Sequence, residues 1–440
     1  GLHRQRQNDS PPRTISIIPL VAVAFYPKLG PNLLSRLNET DSPTAWNAMP
    51  SLATPRPLLR AIKKQVGKVK VSLRSQGEAL EELFQLFTSE RQHLKRFSYM
   101  NDPRLRLAYL RYHLPLNTVR SICVLKDLLK RYPAIAETEW ITDMGAGPGS
   151  STIASLLTLP ADRTRRYLLT DQSRGALRVA REIFEECAPA EKDGVKTSIT
   201  TLQQKLPMLP RFQGPTLVWM SMVVNEFDHA EHRGIDIKRF FNKLAEKLPP
   251  GSTVVIIEPG LRQQGRRLLA LHDSLLESQR WEILAPCTHQ KACPLLSEPK
   301  RPWCHFHFRW QPGDIVKQIA VPLGLTAGKG SMSYLAMQPA KEGGLLGNRD
   351  PELARVIGDP MDVRHTDAGI YLCQDGKRRV FRNPPKETTR GALLKRGRQN
   401  RDARLVAPWP GGSPERKHPR RPRKDRRKPP EAPPEKPGET

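Results

Sequence analysis

Cysteine is scarce in this chain, acidic residues are outnumbered, aromatics are few and no long apolar run occurs. Six cysteines in 440 residues, four of them after residue 286, exclude the dense disulfide framework of a small secreted scaffold and favour a reducing compartment. No apolar stretch approaches the roughly 20 residues that span a bilayer, so no transmembrane segment is expected. The longest, ISIIPLVAVAFY at 15–26, contains Pro19 and follows Arg4, Arg6 and Arg13 with only Asp9 opposing them. It allows a processed targeting segment, though such a stretch is more often a poorly ordered leader or a helix packed on the core. The shortage of acid, 44 Asp and Glu against 72 Lys and Arg, leaves a net charge of +28. Such an excess favours a polyanionic partner, because Lys and Arg that neutralise phosphates release counterions; nucleic acid leads, and an anionic membrane surface comes second.

Half of that excess lies in the last 64 residues: from Lys377 to Thr440, 21 Lys and Arg stand against 7 Asp and Glu. With 42 prolines and 29 glycines in the chain, part of it is expected not to fold. Residues 1–55 read as an irregular leader, and 386–440 as a disordered basic tail unable to bury enough apolar surface to offset its ordering entropy. Between them, 56–136 reads as helical. EALEELFQLF (78–87) puts Leu80, Leu83, Phe84 and Phe87 on one face, and Asn117 is positioned to cap a helix carrying Val119, Ile122, Val124 and Leu128 that ends at Pro133.

From 137 to 385 apolar strand-like runs alternate with helix-like or loop segments: EWITD (139–143), RYLLT (166–170), TLVWMSMVV (216–224) and STVVIIE (252–258). That alternation predicts an α/β domain with a parallel sheet covered by helices. DIVKQIAVPL, SYLAMQ and GIYLCQ have the β character of a closing sheet or a small β appendage.

The sharpest local signal is Asp143-Met144-Gly145-Ala146-Gly147-Pro148-Gly149, which follows the first strand and precedes the helix-compatible SSTIASLL. Gly145 and Gly147 permit a tight turn and close backbone approach to a ligand, and the next helix offers free N–H groups. Asp171 closes the following strand, where a carboxylate accepts ribose hydroxyls. Dinucleotide and nucleoside cofactors both suit this geometry, as does a glycine turn that only joins strand to helix. The D-x-G-x-G-x-G form resembles motif I of class I S-adenosylmethionine-dependent methyltransferases. On that resemblance Gly145, Gly147 and Gly149 line the methionine and ribose region, Asp143 sits near the methionine amine and Asp171 holds the ribose. An acceptor-activating group is harder to find. Val224-Asn225-Glu226-Phe227 stands where amino-methylating enzymes often carry Asn/Asp-Pro-Pro-aromatic, without the two prolines. Asn225 and Glu226 read as a polar strand end or as a helix cap.

The second signal is APCTHQKACPLLSEPKRPWCHFHFRW (285–310), which gathers Cys287, Cys293 and Cys304 with His289, His305 and His307. Close cysteine pairs typical of structural zinc are missing. Three local thiols and the remote Cys373 suit an iron–sulfur cluster better. A Cys/His zinc site and buried thiols in ordinary packing remain open on spacing alone. Trp303, Phe306, Phe308 and Trp310 read as the core of a small loop-rich subdomain, and Cys123 and Cys187 as free thiols, the first on an apolar helix face and the second in a polar loop.

Taken together, AYLRYHLP (108–115), DMGAGPG (143–149), VVNEF (223–227), EPG (258–260), APC…H…CPL…WCHF (285–306), SYL (333–335), RVI (355–357) and CQDG (373–376) resemble the methyltransferase-like proteins of the mitochondrial small ribosomal subunit, also found in bacteria, the Rsm-twenty-two family. The resemblance implies a Rossmann-like class I methyltransferase sheet with an N-terminal helical region and an inserted four-cysteine metal-binding subdomain. It further implies a 4Fe–4S cluster held by Cys287, Cys293, Cys304 and Cys373, binding to small-subunit rRNA and the small ribosomal subunit as a monomer, and a role in assembly or translation. The setting is then mitochondrial matrix or bacterial cytoplasm. An active S-adenosylmethionine-dependent rRNA methyltransferase and a zinc-stabilised RNA-binding module are the alternatives. Two departures from the family pattern stand out: Thr288-His289 where Pro-His commonly follows the first ligand, and LRQQGRR after Glu258-Pro259-Gly260 where small residues are usual.

Overall fold

A computed structural model of the chain describes residues 51–88, 99–191, 193–227, 236–298, 302–325, 328–340, 350–359, 361–363, 367–385, 388–396 and 403–410. The leader up to residue 50 and the final basic run from 411 lie outside the described residues.

The main sheet is built from β1 (Leu52–Ala53), β2 (Trp140–Met144), β3 (Arg165–Asp171), β4 (Thr197–Gln203), β5 (Thr216–Ser221), β6 (Thr253–Pro259), β7 (Trp281–Ala285), β8 (Phe306–Gln311) and β9 (Lys329–Pro339). Their order is β1-β8-β9-β6-β5-β2-β3-β4, with β7 also on β9. Strands β2 to β6 are parallel where they pair, and β9 runs antiparallel to β6, β7 and β8. Apart from DIVKQIAVPL the predicted strands are present, and β1, β4, β7 and β8 are additional to the sequence reading. β4, TSITTLQ, is an edge strand without a continuous apolar run, and β7, WEILA, is masked by the cysteine segment it opens.

The central parallel strands β5 and β6 are nearly unbroken buried runs because both faces are covered, whereas the edge strand β4 alternates. Around them stand α1 (Arg56–Gly67), α2 (Leu73–Thr88), α3 (Pro103–Arg131), α4 (Ser150–Thr158), α5 (Arg174–Cys187), α6 (Ile237–Lys247), α7 (Arg262–Glu277) and α8 (Asp314–Ala320). Leu80 and Leu83 of α2 are fully buried and Phe84 nearly so. Asn117 caps nothing: α3 is one helix of 29 residues that continues through Pro115. An internal proline removes a backbone bond and costs about 3 kcal/mol. Here 20 residues of the helix are buried, and burying each large apolar side chain stabilises by roughly 1.5–3 kcal/mol, so packing overrides the break. Cys187 is the buried last residue of α5 rather than a loop residue, and DIVKQIAVPL is helical, its Val316, Ile319 and Ala320 packed on the core.

A second, antiparallel sheet follows from β10 (Leu353–Val356), β11 (Met361–Val363), β12 (Asp367–Gln374), β13 (Lys377–Arg382), β14 (Leu393–Arg396) and β15 (Ala403–Ala407). The basic tail expected from 386 therefore starts too early. Beyond β15, Trp409 is 3 % exposed, lies 5.0 Å from the Phe306 ring and 5.9 Å from that of Tyr334, and donates from Nε1 to His307 O at 2.8 Å. Composition averaged over the tail conceals these apolar anchors, Trp409 and the buried Leu393 and Leu394 of β14.

Nor is 285–310 an inserted subdomain. It leaves from the end of β7 and returns as β8, whose Phe306, Phe308 and Trp310 belong to the main core. The segment between is a loop held against α7 and the second sheet.

Candidate functional site

The sheet switches direction of winding between β2 and β5, and ligands of doubly wound sheets bind outside the carboxyl ends of the strands at that point. The loop Gly145–Gly149 lies there. Gly145, Gly147 and Gly149 have φ of 71°, 52° and 85°, a region that disfavours side chains. A Cβ at Gly145 would come 2.6 Å from Val223 Cγ2, whereas one at Gly147 would have no atom within 4 Å. Gly147 thus presents bare backbone to open space, and Val223, from the strand end after β5, covers Gly145.

Asp171 at the tip of β3 accepts from Gly147 N and Ser173 N, both at 2.8 Å, although burial pushes its pKa up. The bonds fix the carboxylate beside the open side of the loop. Asp143 is 2 % exposed and turned to the start of α4, where Oδ2 accepts from Thr152 N at 3.1 Å and Thr152 Oγ1 at 2.8 Å. Burial, partly offset by these bonds, raises it to about 7. The structure therefore brings the three glycines and Asp171 to one cradle and gives Asp143 a share in holding the loop to its helix. The open backbone at Gly147 and the adjacent carboxylate fit a nucleoside cofactor.

At the next strand end Asn225 lies in a short 3-10 turn, Val224–Glu226. Glu258, 2 % exposed at the end of β6, accepts from Val224 N at 2.9 Å and from Asn225 N at 3.3 Å, and Asn225 Nδ2 also donates to it. The Asn225 amide is thus used to join two strand ends. The sequence signal for this role is a lone acid, Glu258, at the end of the apolar strand β6.

On the other side of β6, four cysteines that are up to 86 positions apart face one cavity. Cys287, Cys293, Cys304 and Cys373 line it with Leu268, Leu335, Ile357 and Arg355. Three of its walls come from different elements: the loop after β7, α7 and β12. Cys373 stands opposite Arg355 in the β10–β12 register. Burial pushes the Cys293 thiol up to about 12 and holds Cys304 and Cys373 well above the ordinary range, with neighbouring thiols adding to each. No disulfide joins any of them. Among the described residues no group of three or more His, Cys, Asp or Glu side chains is arranged to hold a single metal ion.

The surroundings hold these thiols in place. Arg266, from the LRQQGRR segment, points away from the glycine cradle and donates to the carbonyls of Leu295, Leu296, Glu298 and Pro302 at 3.0–3.3 Å. Gly265 leaves room for Trp303, which donates to Gly260 O at 3.0 Å. Asp273 Oδ1 accepts from Cys293 N at 2.8 Å and lies 2.7 Å from His272 Nδ1. His289 Nε2 is 3.2 Å from Cys373 Sγ while Nδ1 accepts from Lys291 N, which makes the imidazole a donor to the sulfur. His305 stacks on Trp303 at 4.4 Å and meets Arg390. His305 therefore turns to the arginine and the indole, and exposed His307 lies on β8. Thr288 Oγ1 donates to Leu353 O at 2.9 Å.

Beneath the cavity Arg355 and Asp127, each 1 % exposed, form a two-pronged pair at 2.9–3.0 Å, and Tyr334 OH donates to the same carboxylate at 2.7 Å. This pair joins α3, β9 and β10 and was not apparent from the sequence, where its partners are 228 positions apart.

Strand order 4-3-2-5-6-9-7 in this numbering, with the antiparallel strand β9 lodged between β6 and β7, is that of the class I methyltransferase fold. The protein is thus a methyltransferase-like α/β protein carrying a cysteine-lined cavity and an antiparallel β extension. The chain belongs to the family described as mitochondrial small ribosomal subunit Rsm22, whose profile matches residues 104–406. No curated protein sequence matches it. Solved structures similar to it include a putative methyltransferase from Bacillus halodurans, at 13% identity over 49% of this chain and 99% of that one with a TM-score of 0.28. NSun6 from Pyrococcus horikoshii with SFG is 15% identical over 50% and 52%, TM-score 0.30. An S-adenosylmethionine-dependent methyltransferase from Clostridium acetobutylicum is 10% identical over 60% and 70%, TM-score 0.23. The fold assignment rests on the strand order. No helix among the described residues is long and apolar enough to cross a membrane.

Proposed function

We propose that this protein is an rRNA-binding assembly or translation factor of the small ribosomal subunit, working as a monomer in the mitochondrial matrix or bacterial cytoplasm, with S-adenosylmethionine in the glycine cradle. The observation that carries the factor reading ahead of the enzyme reading is the fixed Asn225–Glu258 pair. The strand end that positions an acceptor in amino-methylating enzymes is here occupied in holding the protein together. Asp171 and the bare backbone at Gly147 support cofactor binding independently of transfer. Titration with S-adenosylmethionine followed by single-turnover transfer to small-subunit rRNA separates the two. Binding without transfer is expected; methyl incorporation would establish the enzyme.

The cysteine cavity would hold a 4Fe–4S cluster through Cys287, Cys293, Cys304 and Cys373. A single zinc ion needs ligand sulfurs about 2.3 Å from one point, and no such convergence exists among the described residues. A cluster instead takes thiolates at separate corners of a larger body, which suits four thiols spread around an apolar cavity. Its contribution when bound is cross-linking of the loop after β7 to β12, and the chain's own part is to supply thiolates, with His289 donating to one of them. Iron, sulfide and zinc analysis of anaerobically purified protein is expected to give four irons and four sulfides per chain. One zinc without sulfide would replace the cluster by the zinc reading.

For rRNA, the exposed strand β13 adds Lys377, Arg378 and Arg379 to the basic run beyond residue 410. Deleting 411–440, which spares β15 and Trp409, is expected to flatten the dependence of log affinity on log salt. An unchanged slope would move the phosphate contacts to the folded part.

A further inference from the structure

Arg120 stands in the middle of α3 where that helix passes the carboxyl ends of the sheet. Its neighbour Ser121 meets Ser151, the second residue of α4, at 2.9 Å, and Ser151 meets Ser221 at the end of β5 at 2.6 Å. The Arg120 side chain itself reaches the other way: Nε donates to Ser331 O at 3.1 Å and Nη1 to Asn117 Oδ1. Ser331 packs against Gly260 at the end of β6, where a Cβ would meet Ser331 Oγ at 2.6 Å. The guanidinium thus sits above the strand ends on the side of the cradle away from Asp171.

The arginine is half-buried, and no carboxylate pairs with it among the described residues. Tyr109 and Tyr112 are the phenols beside it, and burial lowers its pKa to about 10. A guanidinium drawn out of water without a counter-charge is costly unless something neutralises it. Arg165 shows the self-contained alternative, with both terminal nitrogens on the carbonyls of Pro160 and Ala136. Arg355 shows another, a two-pronged pair with Asp127. Nη2 of Arg120 has neither kind of partner among the described residues.

We infer that Arg120 is an oxyanion-binding residue: with Asn117 and Ser331 O fixing its plane, it takes a carboxylate or phosphate presented above the strand ends. Two sources carry that chemistry here, the amino-acid carboxylate of a cofactor seated in the glycine cradle and a backbone phosphate of bound RNA. The identity of the anion, though not the existence of the site, rests on the function proposed above.

The test uses the full chain and the variants Arg120→Gln and Arg120→Lys, titrated with S-adenosylhomocysteine, with 5′-methylthioadenosine, which lacks the amino-acid portion, and with a small-subunit rRNA fragment at several salt concentrations. A cofactor carboxylate predicts that Arg120→Gln weakens S-adenosylhomocysteine about 10- to 100-fold, leaves 5′-methylthioadenosine unchanged, and is partly rescued by Arg120→Lys. A phosphate predicts instead that the salt slope of RNA binding falls by about one in Arg120→Gln. Either result supports the site and names its anion. If the wild type binds neither nucleoside, the cofactor reading fails while the RNA arm still decides on Arg120. Unchanged binding in both arms would overturn the inference, with or without a change in melting temperature.

Discussion

The glycine cradle and the cysteine cavity lie on the same sheet but are assembled in opposite ways. The cradle is a local device: loop, helix start and the next strand tip fall between Asp143 and Asp171, and its key bonds, Asp171 to Gly147 N and Asp143 to Thr152, span 24 and 9 positions. The cavity gathers Cys287, Cys293, Cys304 and Cys373 through elements that meet only when the second sheet has docked. Local sites are specified by backbone geometry, which tolerates little change in residue type but does not need the whole fold. Distant sites are specified by packing and buried charge, and fail when those fail.

The sharpest way to test that contrast is to remove the buried charge under the cavity. Arg355→Ala leaves Asp127 and the Tyr334 hydroxyl facing a hole, and truncating one partner of a buried pair costs about 3–5 kcal/mol. Chemical denaturation should show a loss of that size, and metal content should fall with it, while nucleoside binding in the surviving folded fraction is retained. Equal loss of both properties would show the two sites to be one cooperative unit. Trp409→Ala attacks the same side from the chain end. Its ring seals Phe306 and Tyr334, and a buried Trp→Ala change costs roughly 3–5 kcal/mol, read as a lowered melting temperature that deletion of 411–440 does not reproduce.

The same contrast explains what could be read in advance. The parallel strands, the glycine loop and Asp171 were legible because a period, a φ requirement and a spacing are properties of a short window. Asn117 was misread as a cap because Pro115 is a local stop signal, and only the burial of α3 on two sides reveals why it is overridden. DIVKQIAVPL looked like a strand because its β-branched residues satisfy either period, and α8 is fixed by what Val316 and Ile319 touch. The cysteine set could be named from family resemblance, whereas the bonds made by Arg266, by Arg355 with Asp127 and by His289 could not. Each bonds across a distance in sequence that no window contains. The end at Trp409 was lost to averaging over basic neighbours.

Within the cradle the glycines should separate by what surrounds them. Gly147→Ala adds a methyl to open space at φ 52°; its expected cost is about 1 kcal/mol of stability and a larger loss of nucleoside affinity, roughly tenfold or more where the ligand needs the bare backbone. Gly145→Ala drives a methyl into Val223 and should cost more stability than Gly147→Ala. Paired melts and titrations of the two variants check this. Equal effects on stability and binding would show that the cradle is a turn and nothing else.

Asp143 gives the smallest and most local effect. Burial holds its pKa near 7 against an ordinary 3.8, so the folded protein keeps this proton where the unfolded chain has released it. The stability that this proton contributes is complete below pH 3.8 and is lost as the pH rises to about 7, at about 1.4 kcal/mol per pH unit within that window. Asp143→Asn keeps an acceptor for Thr152 and cannot ionise. Between pH 5.5 and 6.5 the wild type should therefore lose about 1 kcal/mol relative to the variant, measured by urea denaturation at the two values. A parallel pH dependence in both proteins would mean that Asp143 is already charged in the fold and that the Thr152 bonds, rather than burial, set its state.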